Sequence, residues 1–156
     1  MRTCYKNNGI ALIEILVGIA IVGFVLVFVS HTITLFLSSS ELVLQQSRAV
    51  YLAEEGQELV RYLRDEDWNT IADLTEGTTY YVSVSTTTIS ATTSPEIIDD
   101  LFTRSFVVEE LLRDGNDDVV DSGGSVDQNG RIVTVDVSWN GESVNFVSII
   151  TNLYDL

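Results

Sequence analysis

A single carboxylate, Glu14, lies near the start of a long apolar run that reads NNGIALIEILVGIAIVGFVLVF from Asn7 to Phe28. Between Ile10 and Val29 it is the only ionisable residue. A charged side chain at the centre of a bilayer costs about 2.5–3.5 kcal/mol on insertion scales, so it marks a functional position and needs a partner. About 20 apolar residues are enough to span a bilayer as a helix. The run therefore predicts a membrane-spanning helix with one functional carboxylate.

The residue types that most often carry catalysis or bind transition metals are scarce. Cys4 is the only cysteine and His31 the only histidine. An intramolecular disulfide is excluded, and a histidine-based zinc site or a Ser-His-Asp triad has little to build on. No phosphate-binding glycine loop is present either. The sequence predicts that the chain is not an enzyme and that His31 is a helix residue near the membrane boundary.

One acidic loop spaces side-chain oxygens at alternate positions, at Asp114, Asn116 and Asp118, with Asp121 following. Calcium takes about six to eight oxygen ligands, and a tight loop of this kind can supply several. However, no glutamate closes the loop, because Ser125 occupies that position. Aspartate, asparagine and glycine are also the usual turn formers. An acidic turn is the preferred interpretation, calcium binding is the alternative, and no other metal or cofactor is predicted.

Residues 9–14, GIALIE, follow a short basic leader, MRTCYKNNG, and precede the unbroken apolar run. This arrangement resembles the N-terminal motif of the type IV prepilins. The resemblance implies that a prepilin peptidase cuts after Gly9 at the cytoplasmic face and N-methylates the new terminal residue, Ile10. It further implies that Glu14 pairs with the Ile10 amino group of a neighbouring subunit. The family usually has phenylalanine or methionine where this chain has Ile10.

The chemistry of these positions agrees with the implied roles. Gly9 has no side chain, so its backbone can fit closely into a protease cleft. Two charges that are each costly in an apolar environment become tolerable as a pair, and the pairing fixes the helix register. Glu14 also lies in the first turn of the mature helix, where a negative charge complements the helix dipole. The alternative is a snorkelling glutamate at the cytoplasmic boundary of an ordinary anchor.

The resemblance also implies a function, a set of partners and a location. The chain is expected to be a structural subunit, a minor pilin of a type IV pilus or a minor pseudopilin of a type II secretion system. Its partners would be the prepilin peptidase, other subunits, an assembly platform and, before assembly, membrane lipid. Arg2 and Lys6 predict that the short N-terminus lies in the cytoplasm and the acidic bulk of the chain on the other side of the membrane. The resemblance implies that the chain is first in the cytoplasmic membrane and then in a periplasmic or cell-surface filament. The alternative function is a single-pass, membrane-anchored binding or adhesion domain with Thr86–Thr93 as its ligand surface.

The charge balance excludes another class of partner. Once Arg2 and Lys6 are subtracted from the 8 basic residues, the chain from Ile10 onward holds 6 basic and 23 acidic residues, a formal charge of −17. It contains no lysine after Lys6. A surface this acidic repels phosphate backbones, so direct nucleic-acid binding is not expected.

The positioning element is a single long helix. After the apolar run, residues 38–67 turn amphipathic without a proline, and one helix from Ile10 to Arg64 would be on the order of 80 Å long. Gly18 and Gly23 are places where it can bend or pack closely against another helix. Its core-facing stripe is predicted from residues spaced alternately by three and four. The stripe consists of Leu42, Gln45, Ala49, Leu52, Gly56, Leu59 and Leu63.

The rest of the chain predicts an antiparallel sheet. YYVSVS from Tyr80 to Ser85 alternates with period two, and the threonine-rich stretch to Pro95 is interpreted as a strand end and a loop. Phe102–Leu112 is ambiguous between strand and helix. Asn140-Gly141 lies between two β-prone runs, which is the leading short hairpin signature.

The predicted fold class is therefore α+β, with a long N-terminal helix packed on a C-terminal antiparallel β-sheet, as in pilins. Residues 1–9 are the leader and residues 10–37 the membrane or filament-core helix. Residues 38–67 continue the helix, and residues 68–156 form a globular β-rich domain.

Overall fold

The computed structural model describes residues 8–85 and 88–152 of the 156-residue chain. The leader residues Arg2, Cys4 and Lys6 lie outside this part, as do Thr86 and Thr87. The first element, α1, runs without interruption from Asn8 to Glu66. The chain divides into two compact units, Met1–Leu44 and Gln45–Leu156, so α1 contributes its first part to one unit and its last part to the other.

The other elements of the described residues are a short helix, α2 (Asn69–Ala72), and six strands. The strands are β1 (Thr79–Val84), β2 (Ile89–Thr92), β3 (Ile97–Ile98), β4 (Phe102–Arg113), β5 (Ser125–Trp139) and β6 (Glu142–Thr151). They form one antiparallel sheet in the order β2-β1-β4-β5-β6, with β3 paired to β4. The prediction of a long N-terminal helix packed on an antiparallel sheet, an α+β fold, is confirmed.

The hairpin between β5 and β6 turns at Asn140-Gly141, as the sequence predicts. Trp139 pairs with Glu142 across the turn. Asn140 has a φ of 45° and Gly141 a φ of 85°. A two-residue hairpin of type I′ requires positive φ at both central residues, and asparagine followed by glycine meets this requirement at the lowest cost. This turn fixes the register of the ten paired residues of β6.

The segment that was ambiguous in sequence is the central strand β4. Its side chains alternate between buried and partly buried from Phe102 to Val108. The register then shifts between Glu110 and Leu111, and this bulge returns Leu111 to the buried face. The irregular spacing of apolar residues after the bulge is the reason that period-two alternation could not be recognised.

The threonine-rich stretch contains a strand where a loop was expected. Ile89–Thr92 forms β2 and pairs with β1, with Ile89 opposite Val84. Ile89 and Ala91 are half-buried and pack against the main core. The expectation of a loop was wrong here because two apolar residues at alternate positions are enough to hold a short strand on a hairpin partner.

The last part of α1 buries a stripe of small and apolar side chains against the sheet. Ala49, Leu52, Ala53, Val60 and Leu63 are all at most 2% exposed. They belong to two core clusters, one centred on the strand residues around Phe106 and the other containing Phe102 and Trp139. Burial of this stripe supplies the hydrophobic stabilisation of the helix–sheet layer.

The predicted stripe is wrong at its first position. Leu42 is 62% exposed and belongs to the first compact unit, whereas burial against the sheet begins with Ala49. Gln57, which was not part of the predicted stripe, is buried. Its Nε2 donates to the Phe146 carbonyl at 3.0 Å, and its Oε1 accepts from the Ser148 hydroxyl. A glutamine is tolerated there because β6 satisfies both ends of its amide.

Gly56 is the point at which α1 comes closest to the sheet. A Cβ at this position would lie 2.8 Å from Val135 Cγ1 and 3.0 Å from Arg104 Cδ. Arg104 is buried beneath the helix, where it donates to the Leu52 carbonyl at 3.4 Å and forms an ion pair with Glu55 at 3.3 Å. The absence of a side chain at Gly56 makes room for this arginine between helix and sheet.

We predict that Gly56→Val destabilises the folded domain by about 1–3 kcal/mol, since the added methyl groups overpack the helix–sheet contact. Glu54→Val is the matched control, because Glu54 is exposed on the same helix and the change introduces the same β-branched residue. Thermal unfolding of both variants in detergent measures the difference. Equal unfolding temperatures for the two variants would contradict a close approach at Gly56.

Candidate functional site

The residues of the predicted cleavage motif lie at the N-terminal end of α1. The helix begins at Asn8, so the backbones of Gly9 and Ile10 belong to its first turn. Glu14 follows one turn later and is exposed. Within residues 8–85 and 88–152, no basic side chain forms an ion pair with Glu14. The structure thus presents an accessible carboxylate near the start of an apolar helix.

The first part of α1 has no protein cover along its length. Every residue from Ala11 to Leu44 is exposed. The large apolar side chains of this segment range from 49% exposed at Val17 to 73% at Phe24, Phe28 and Leu44. An exposed apolar surface of this extent marks a membrane or protein interaction site.

This segment has the length and composition of a membrane span. Among the described residues, one helix is long and apolar enough to cross a bilayer, and its best 18-residue window has a mean hydropathy of 3.0. None of that window is buried inside the protein. The sequence-based prediction of an apolar N-terminal helix compatible with single-pass anchoring is confirmed at this level.

The hydroxyl side chains that follow the most apolar run bond back to their own helix. Thr32 donates to the Phe28 carbonyl at 2.9 Å and Thr34 to the Ser30 carbonyl at 3.0 Å. Ser38 and Ser40 each donate to a carbonyl of the preceding turn at 2.9 Å. Because these donors are satisfied within the helix, the hydroxyls are compatible with an apolar environment.

The acidic loop closes on itself through Asp114. The Oδ1 of Asp114 accepts backbone N–H groups from Asn116 at 2.8 Å and from Asp118 at 3.0 Å. These two backbone hydrogen bonds hold the pKa of Asp114 below its usual value. In the described part of the chain, no group of three or more His, Cys, Asp or Glu side chains is arranged to hold a metal ion, and Asp121 is exposed. The geometry is that of an aspartate-stabilised turn.

An ion pair that the sequence analysis did not identify ties this loop to the sheet. Arg113 Nε donates to Asp127 Oδ2 at 2.7 Å, and its Nη1 donates to the Asp117 carbonyl at 2.9 Å. The Arg113 hydrogen bond holds the pKa of Asp127 below its usual value, and the same bond raises the pKa of Arg113. The partners come from two strands, so only the register beyond the β4 bulge brings them together.

The sequence also provided no indication of Asp136. Unlike Asp127, this carboxylate is affected mainly by burial and not by an ion pair. It projects from the sheet face away from the helix, paired between Ser105 of β4 and Asn145 of β6. Burial raises the pKa of Asp136 above its usual value. No signal in the sequence distinguishes this aspartate from the many solvated acids of the domain.

The prediction for the alternative function concerned Thr86–Thr93. Thr86 and Thr87 lie outside the described residues, and Ile89–Thr92 forms β2. The described end of this hairpin is closed by Ser85, whose hydroxyl bonds Thr88 and whose backbone N–H donates to the Thr88 carbonyl at 2.9 Å. Among its described residues, Thr88, Ser90 and Thr93 present exposed hydroxyl groups.

Comparison with protein-family models, with curated proteins and with solved structures finds no match to this chain.

We predict that replacing Asp127 and Asp136 by asparagine changes the unfolding temperature in opposite directions. The lowered pKa of Asp127 means that its stabilising contribution is present above its unfolded pKa of about 3.9 and is lost as the pH falls through the folded value. Asp127→Asn should therefore lower the unfolding temperature at pH 7 and flatten the loss of stability below about pH 4.

For Asp136 the raised pKa means that the charged form is the less stable one in the fold, so stability falls as the pH rises through the folded value. Asp136→Asn should raise the unfolding temperature at pH 7, and Asp121→Asn, a change of an exposed acid, should leave it unaltered. Thermal unfolding from pH 3 to pH 8 measures all three variants. A shift of the same sign for Asp127→Asn and Asp136→Asn would contradict the assignment.

Proposed function

We propose that this chain is a structural subunit of a filament of the type IV pilus or type II secretion class, a minor pilin or pseudopilin. The observation that carries the proposal is the uncovered apolar segment Ala11–Leu44 of α1 with Glu14 near its start. The GIALIE motif at residues 9–14 and the basic leader support a processing site directly before this segment. A β-rich domain follows on the same helix.

The proposed assembly begins in the cytoplasmic membrane. A prepilin peptidase cuts the peptide bond after Gly9 and methylates the amino group of Ile10. An assembly platform then draws the processed chain from the bilayer into a filament. Contacts between the apolar segments of neighbouring subunits replace contacts with lipid, so the exposed apolar side chains from Ala11 to Leu37 stay out of water throughout.

Glu14 sets the stagger between neighbouring subunits in this proposal. Its carboxylate has no basic partner within the described residues of its own chain, which leaves it available to another. The new amino group of Ile10 lies one helical turn before it in sequence. A displaced neighbour would leave both charges in an apolar environment, whereas the paired arrangement neutralises them.

Mass spectrometry of the N-terminal peptide tests processing. In sheared filaments we expect a peptide that starts at methylated Ile10, and in the membrane fraction a mixture of this form and the precursor. Gly9→Val should abolish the cut, because the branched side chain blocks the close approach of the protease. A mature-sized product from Gly9→Val would refute the cleavage site. A wild-type peptide that starts at Met1 and occurs only in membranes would instead favour a single-pass anchored binding domain.

A second variant separates processing from assembly. Glu14→Leu should leave the chain inserted and cleaved but impair its incorporation into filaments, since the Ile10 amino group loses its partner. Glu41→Leu makes the same chemical change at an exposed position of the same helix and serves as the control. The ratio of filament-bound to membrane-bound mature chain is the readout. Normal incorporation of Glu14→Leu would exclude the pairing.

A further inference from the structure

One edge of the sheet is a long strand without the usual protection. β6 is the terminal strand of the order β2-β1-β4-β5-β6. After Glu142 at its start, β6 contains no charged residue, no proline and no glycine up to its end at Thr151. Val147 is 65% exposed and Ile149 is 50% exposed on the face away from the helix. Natural sheets blunt such edges with charges, prolines or bulges because an open edge pairs with other strands.

The opposite edge is shorter but also uncharged, since its strand, β2, has four residues. β2 ends the sheet on the other side, and the sequence from Gly77 to Pro95 contains no charged residue. The surrounding domain is strongly acidic: without Glu14 and Glu41, residues 45–156 hold 21 of the 23 acidic residues against 6 basic ones, a formal charge of −15. The two longest uncharged segments of this domain thus coincide with the two edges of its sheet.

The absence of charge at the two sheet edges makes them the surfaces through which two acidic domains can meet with the least repulsion. Two such domains repel one another wherever their charged faces meet. The repulsion is weakest where edge meets edge, because neither Ser143–Asn152 nor Gly77–Pro95 carries a charge. Backbone N–H and C=O groups of the two strands can then pair, as in β-augmentation. A second copy of the chain therefore has a complementary surface for each edge.

The strand directions select between two arrangements of copies. Each neighbour in the sheet is antiparallel, so β2 and β6, four steps apart in the order, run in the same direction. Placing β6 of one copy beside β2 of the next keeps the packed parts of α1 parallel and on one face of the joined sheet. Pairing β6 with β6 requires a two-fold axis, which either reverses these helices or puts them on opposite faces of the sheet. Subunits with their helices in one membrane or one filament must keep them parallel.

We propose that β6 of one copy pairs with β2 of a second copy, head to tail, so that the sheets of neighbouring subunits continue into one another. The inference rests on the proposed function, because assembly through α1 brings the domains side by side in one orientation. Pairing of this kind places copies of the chain in contiguous runs even where they form a small fraction of the filament. The pairing also covers Val147 and Ile149 at the open edge.

Paired cysteines test the arrangement. In a Cys4→Ser background, Ser90→Cys on β2 is combined with Asn145→Cys, Val147→Cys or Ile149→Cys on β6, which brackets the register. A short bis-maleimide is added to filaments, and oligomers are separated by denaturing electrophoresis. We expect at least one pair to give a ladder of covalent oligomers and each single cysteine to give none. Ser90→Cys with Ser105→Cys, which lies on the central strand β4, is the control and should give no ladder.

The other outcomes overturn the proposal in distinguishable ways. Dimers from Val147→Cys alone would indicate β6–β6 pairing, and a cross-link to a different protein would identify another occupant of the edge. Filaments that contain processed chain but give no cross-link with any pair would refute the edge contact and leave the proposed function standing. Absence of processed chain from filaments would refute both.

A charge placed on the edge gives an independent readout. Val147→Lys introduces the residue that natural edge strands use against pairing, at a position exposed enough to leave the fold intact. The ladder of the Ser90→Cys and Asn145→Cys pair, or of whichever pair cross-links, should be lost in this variant. Val147→Thr, which keeps β-branching without charge, should retain it.

Discussion

The unequal covering of a single helix is the constraint on which this structure depends. From Ala49 onward α1 buries its apolar stripe on the sheet, with Gly56 allowing the closest approach. Before Gln45 the same helix is more apolar and has no cover at all. The hydrophobic effect acts equally on both parts, so the first part must find outside the chain what the second part finds inside it. The sheet supplies this cover for the second part, and the exposed first part is compatible with a membrane.

Two polar side chains, Arg104 and Gln57, are buried between the helix and the sheet. Each of them has partners. Arg104 donates to the Leu52 carbonyl and pairs with Glu55. Gln57 donates to the Phe146 carbonyl and accepts from the Ser148 hydroxyl. A buried polar group without partners would cost far more than these bonds contribute. Such groups restrict how the helix can sit on the strands, since sliding it by one residue would leave them unsatisfied.

Features of the fold that depend on adjacent residues could be predicted from the sequence, whereas features that depend on contacts between distant elements could not. Asn140-Gly141 specified its hairpin because only a few residues tolerate two consecutive positive φ values. Leu42 was placed in the core wrongly, because periodicity shows which residues share a face and not how far the sheet extends beneath it. The Arg113–Asp127 pair depends on a register shift between two strands, and nothing local to either residue encodes it. For the first part of α1, the apolar run predicted an exposed helix, because its composition alone is that of a membrane span.

The hydroxyls of Thr32, Thr34, Ser38 and Ser40 have a consequence for movement along the bilayer normal. Each already donates to a carbonyl of its own helix. Passing from hydrocarbon into water therefore exchanges few hydrogen bonds at any of these four side chains. In the extraction from lipid that we propose, these four hydroxyls add little to the free-energy cost.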